Sequence, residues 1–234
     1  AGLFLTNGAV FANLLPRLPE IKSDLHLTNT VFGAAVAAFS AGALVSGPAA
    51  GALIRRFRSS VVAVAGSVLI AVFTLAAGLA PSAATLAAAL FCAGAADSVT
   101  DVAQNVHGLR VQRRYGRFII NSLHAVWSAG AVLGGLIGAG AIYLEIPRAV
   151  QLSATGTLFG ALCLAAYRFL LPGPDHGPPT EGARRRAEGV GSYRAVYLAL
   201  AALVGIAVGG AVIEDAGSSW ATLYLRDALA APAA

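Results

Sequence analysis

The stretch from Ser82 to Val106, SAATLAAALFCAGAADSVTDVAQNV, decides the fold. It is long enough to cross the roughly 30 Å hydrocarbon core of a bilayer as a helix. It is not uniformly apolar. Asp97, Asp101, Gln104 and Asn105 stand at i, i+4, i+7 and i+8, a spacing that stacks them on one helix face. A carboxylate at membrane depth costs roughly 3 kcal/mol on insertion scales. Two on one stripe predict a surface turned toward a wet cavity or a partner, and such residues mark substrate or ion pathways.

The rest of the chain has the same character. It is 57% hydrophobic and 12% charged over 234 residues, with mean hydropathy +0.74, whereas a soluble domain carries about 25% charge. The class is an all-α membrane protein of several spans. The net charge of +5 does not signal nucleic acid, because the arginines form short clusters between spans instead of one basic patch. Cys92 and Cys163 lie in apolar segments and read as packed thiols. No disulfide, metal or cofactor framework is visible, and no cleavable signal peptide opens the chain.

Helices are expected near 1–15, 28–54, 61–80, 82–107, 118–144, 149–171 and 194–216. Pro81 opens the fourth at a position where its missing N–H costs nothing. The chain contains no Met, and its first apolar stretch is short, so the expectation is a first helix entered partway. With a further helix starting near Ala234, the chain reads as truncated at both ends. Residues 1–171 form a six-helix half, and residues 194–234 begin a second half. The segment 172–193 between them has linker composition, with Pro172, Pro174, Pro178, Pro179 and Arg184 to Arg186.

Loop charges predict the topology. Twelve of the basic residues follow the second, fourth and sixth helices, and four follow the others. The rich side is cytoplasmic by the positive-inside rule. That places the N-terminus and the 172–193 linker in the cytoplasm.

The loop after the second helix runs Gly51-Ala-Leu-Ile-Arg55-Arg56-Phe57-Arg58-Ser59-Ser60. It resembles the loop signature of the major facilitator superfamily: Gly, three residues, Asp-Arg, one residue, Gly-Arg-Arg. Gly51 and Arg56 match, Arg55 replaces the acid, and Arg58 replaces the second glycine. The stretches NGAVFANLLPRLPEIKSDLHLT, DVAQNVHGLRVQRRYGR, SLHAVWSAGAVLGG and SSWATLYLRDALAA resemble a bacterial branch of that superfamily. Its members are inner-membrane transporters of mostly unassigned substrate, distantly similar to fucose permeases. The resemblance implies about twelve helices in two six-helix halves, each half built of two inverted three-helix repeats. A central cavity would be lined by helices 1, 4, 7 and 10, and the partner of this chain would be the missing C-terminal half.

Gly130, Gly134 and Gly138 on the fifth helix form a stripe that lets two backbones approach. The stripe partly resembles the helix 5 signature of proton antiporters, which has proline where Gly135 stands and glycine where Ala139 stands. Close packing is the simpler reading.

Folding the hairpin of the fourth and fifth helices about residue 112 or 113 sets Asp101 level with His124, Asn105 near Asn121 and Asp97 near Ser128. A histidine beside carboxylates can trade protons near neutral pH. Asp97, Asp101 and His124 are therefore the candidate proton-coupling residues. Asn7, Gln104, Asn105, Asn121, Trp127 and Glu214 are the candidate substrate-binding residues. The competing reading pairs Asp101 with a loop arginine such as Arg56. The mixed-charge turn from Pro16 to Lys22 reads as structural, and Asn13 as a helix end.

These readings predict secondary active transport of a small polar solute through the lipid bilayer by alternating access, coupled to protons. The alternatives are an efflux antiporter of drugs or metabolites, or a fragment that does not itself transport. No phosphate-binding loop supports direct ATP coupling. A retinal protein is excluded because the only lysine, Lys22, lies in a loop. Two carboxylates and an imidazole are a possible metal set, but the family pattern points to a transporter and not an enzyme.

Overall fold

The computed structural model describes residues 1–175 and 193–229, and in the second stretch only part of the side chains. The helices are α1 (Gly2–Ala12), α2 (Leu18–Asp24), α3 (Asn29–Ser46), α4 (Ala50–Phe57), α5 (Ser59–Gly78), α6 (Ala83–Tyr115), α7 (Ile120–Tyr143), α8 (Arg148–Tyr167) and α9 (Tyr193–Leu229). No strand occurs among the described residues. Among the described residues, five segments are long and apolar enough to cross a membrane: Asn29–Phe57, α5, α6, α7 and α8. The chain is a multi-pass membrane protein. Residues 1–175 form one compact unit, and α9 belongs to another. Most of the expected 172–193 linker lies outside the described residues.

Helix ends differ from expectation for local reasons. The second span is interrupted by a 3-10 turn at Gly47–Ala49, because Pro48 supplies no N–H. α6 opens with a capping box between Ser82 and Thr85, so Pro81 precedes the N-cap instead of opening the helix. It runs past residue 107 to Tyr115 because leucine, arginine and glutamine there favour the helix and outweigh the single Gly108. It stops at Gly116, whose φ of +72° is the left-handed conformation of a helix C-cap. α9 continues to Leu229, well past 216.

The packing has an internal symmetry. α3 lies on α6 as α1 lies on α7, and α5 contacts α6 as α8 contacts α1. Exchanging α1 with α6, α3 with α7 and α5 with α8 leaves this pattern unchanged, as two related three-helix repeats require. Both closest seams run on missing side chains. Gly8 packs on the Trp127 carbonyl, while Gly130 and Gly134 pack on the carbonyls of Leu5 and Ala9. In the other repeat pair, Gly42 meets the Phe91 carbonyl and Gly94 meets the Phe39 carbonyl.

Arg58 joins α4 to α5 with φ +74° and ψ 148°. That region of backbone space is almost confined to glycine, and a side chain there costs about 1–3 kcal/mol. This is where the superfamily loop signature has its second glycine. Arg58→Gly should therefore raise stability by about 1 kcal/mol, once the greater freedom of glycine in the unfolded chain is deducted. The unfolding midpoint in mild detergent measures it, and a midpoint that stays put or falls contradicts the strain.

Candidate functional site

Asp97, Asp101 and Asn105 keep a common stripe along α6, and all three are half-buried. The Asn7 amide of α1 lies against the Asp97 carboxylate, and Asp101 is near enough to Asp97 for their charges to interact. The Asn105 amide donates to Asp101 Oδ1 at 3.0 Å. Asn105 Oδ1 in turn meets His124 Nε2 on α7 at 3.1 Å. Asn7, Asp97, Asp101, Asn105 and His124 thus form one polar string across three helices. Phe4 closes one side, its ring edge-on to His124 with centroids 5.6 Å apart.

The hairpin register differs from the sequence expectation. His124 is level with Asn105, not Asp101, because the turn comes later. Gln112 Oε1 accepts the N–H groups of Ile119 and Ile120 at 3.0 and 3.2 Å. This caps the start of α7 and draws the turn to residues 116–119. Asp101 and His124 still interact through charge. Asn121 is exposed, one turn nearer the hairpin tip. Trp127 is half-buried, and its carbonyl supports Gly8.

Gln104 leaves the stripe. Neighbouring helix residues point about 100° apart, and while Asn105 turns to α7, Gln104 turns inward. It is 1% exposed, and its amide donates to the Leu3 carbonyl at 3.1 Å. Its neighbours include an apolar cavity of about 560 Å³ lined by Leu3, Phe4, His107, Leu123 and Val126. Neither Asp97 nor Asp101 lines that cavity. Glu214 falls on α9, and its side chain lies outside the described residues.

At the Arg-rich end, a cluster absent from the sequence reading ties three segments: the start of α5, the end of α6 and the stretch after α8. Asp175 accepts the Ser59 N–H at 2.6 Å, the Ser59 hydroxyl, and Arg110 Nη1 at 2.8 Å. Arg110 also donates to the Pro172 carbonyl at 2.9 Å. His107 Nε2 accepts the Leu171 N–H at 3.3 Å. The neutral ring therefore carries its proton on Nδ1, facing Ser59 Oγ at 3.3 Å. Asp175 thus supplies the N-cap that Arg58 cannot give α5. Burial acts to raise the Asp175 carboxyl, but the Ser59 bonds and the Arg110 guanidinium outweigh it and hold it below its ordinary value. Asp101 has no part in this cluster, and Arg110 is engaged by Asp175.

At the opposite end, Arg17 donates to Gln151 Oε1 and to the Ile146 carbonyl, both at 2.6 Å, and pairs with Glu20 at 2.9 Å. Asn13 caps α1 and donates to Thr155 at 2.6 Å. Arg148 bridges Glu20 and Asp24 at 2.9 and 3.0 Å. The Pro16–Lys22 turn is thereby bound to α8.

Membrane-length helices in two exchangeable repeats, with a carboxylate pair on an inner helix, define a polytopic membrane protein built to hold polar groups at membrane depth. The chain belongs to the Major Facilitator Superfamily, whose family model matches residues 1–232. It is 34% identical over 159 residues to the uncharacterized transporter y4wD of Sinorhizobium fredii, covering 68% of this chain and 42% of that protein. It is 30% identical over 184 residues to an uncharacterized MFS-type transporter of Yersinia pestis, covering 76% of this chain and 46% of that one. The chain spans about half the length of the curated relatives it matches.

Proposed function

We propose that this chain forms the first six-helix half, and the opening of the second, of a secondary active transporter in a bacterial inner membrane. It moves a small polar solute by alternating access, with protons as the coupling ion. The observation that carries this reading is the string Asn7–Asp97–Asp101–Asn105–His124, which sets two carboxylates and an imidazole on three packed helices. A carboxylate at membrane depth changes its proton occupancy with the water it meets. Protonation of Asp97 or Asp101 then biases which side of the cavity opens. The proposed topology puts the Arg-rich end and the 172–193 segment in the cytoplasm, from the loop charges.

The test is uptake into vesicles carrying a full-length transporter of this sequence, driven by an imposed pH gradient across a panel of polar solutes. Uptake should collapse to the empty-vesicle level in Asp97→Asn or Asp101→Asn. Unchanged uptake with unchanged pH dependence in both variants rules out the coupling role.

A further inference from the structure

We propose that the solute taken at this site carries a primary ammonium group, held by Asp97, Asp101 and the side-chain oxygen of Asn7. The inference rests on the transport reading and specifies its substrate class. Asn7 is 5% exposed, yet its Oδ1 has no hydrogen-bond partner. Its amide lies against Asp97, so the orphan acceptor belongs to the acid pair's own surroundings. A buried acceptor left unmade costs free energy, and a ligand donor satisfies it.

The remaining chemistry of the site is one-sided. Asp97, Asp101 and Asn7 Oδ1 all accept, and the two donors beside them are already engaged, the Asn7 amide against Asp97 and the Asn105 amide on Asp101. No ion pair joins Asp97 or Asp101 to a lysine or arginine among the described residues. α1, α3, α5 and α7 contain neither residue type, α4 carries Arg55 and Arg56 in its last turn without an ion pair to either acid, and α6 has none before Arg110, which Asp175 occupies. His124 is the only titratable side chain that α1, α3, α5 and α7 turn toward the pair, and it is bonded through Asn105. An anionic solute meets two like charges here. A neutral polyol leaves them without a counter-charge. An ammonium has three N–H donors and no acceptor, and three acceptor groups await it.

Each carboxylate also exchanges a proton with the water it meets, so protons and the ammonium compete for the same oxygens. A protonated site that takes up R–NH3+ releases H+ to the bulk, and the charges balance with no other reactant. Amine affinity then weakens as pH falls.

The experiment uses the transporter in lipid nanodiscs and three probes of one shape: ethanolammonium, ethylene glycol and glycolate, with sodium chloride as a fourth. Ethanolammonium should raise the melting temperature and release protons into weakly buffered solution, while the other three do neither. Asn7→Ala should weaken its binding about tenfold or more, as expected for a lost charge-assisted hydrogen bond. Asp97→Asn should remove both binding and proton release, and Asp97→Glu, which keeps the charge, should retain proton release and guard against a folding defect. An equal shift with ethylene glycol, glycolate or sodium overturns the ammonium assignment. So does the absence of any shift in a protein whose proton-driven uptake still depends on Asp97. Uptake indifferent to both Asp→Asn variants instead removes the transport reading beneath it.

Discussion

Gly134→Val is expected to destabilise the chain by about 3 kcal/mol or more, at the upper end of what overpacking costs. A Cβ at residue 134 lands among the carbonyl oxygen, carbonyl carbon and Cα of Ala9. Every one of these is a backbone atom, so no rotamer change relieves the overlap and α1 must move away from α7. The displacement loosens a whole seam, because Gly130 and Gly138 meet the carbonyls of Leu5 and Asn13 along the same line. In lipid, such packing is much of what holds helices together. Gly135 is the internal control, since nothing lies within 4 Å of a Cβ placed there. Reversible unfolding in mixed detergent should therefore separate Gly134→Val sharply from Gly135→Val. Equal midpoints for the two variants would refute the backbone seam.

Asp175→Ala should cost about 3 kcal/mol, the order found when one partner of a buried ion pair is removed. Three donors lose their acceptor at once: the Ser59 N–H, the Ser59 hydroxyl and Arg110. The unpaired Arg110 carries much of the penalty, so the double variant with Arg110→Ala should recover part of the loss. A single variant within about 0.5 kcal/mol of the parent, the range of ordinary surface changes, removes the cluster from the stability account. The pH dependence follows from the lowered Asp175 carboxyl. Its contribution is fully present above the unfolded carboxylate value near pH 4. It fades as pH falls through the lower folded value, where parent and variant converge.

The membrane class and the acid stripe were legible because they rest on composition and on helical period, both local properties. The family was legible because motif stretches are spread along the chain. Asn7 was named from its polarity alone in an apolar run, and the structure sets it against Asp97. The register of α6 and α7 was not legible to the residue. It depends on Gln112 folding back to cap α7, and a glutamine next to arginines looks like any solvated loop residue. Gln104 was assigned with the acids by spacing, but only packing decides which edge of a broad stripe turns inward. The Asp175 cluster gave no signal, because its partners lie up to 116 residues apart and a lone aspartate among prolines resembles linker. Arg58 was visible only as a departure from the loop signature, and its backbone angle explains what the departure costs.

The Asp175 hook also defines a path for mechanical force. The covalent chain leaves α8 at Tyr167, but Leu171, Pro172 and Asp175 are fastened to His107, Arg110 and Ser59. A pull on the chain beyond residue 175 is therefore delivered to the head of α5 and the Arg-rich end of α6 before it reaches α8. α6 is the rigid rod that carries Asp97 and Asp101 at its middle. Tension arriving at one end of that rod acts on the helix that bears the carboxylate pair, with the Ser59 and Arg110 bonds as its shackle.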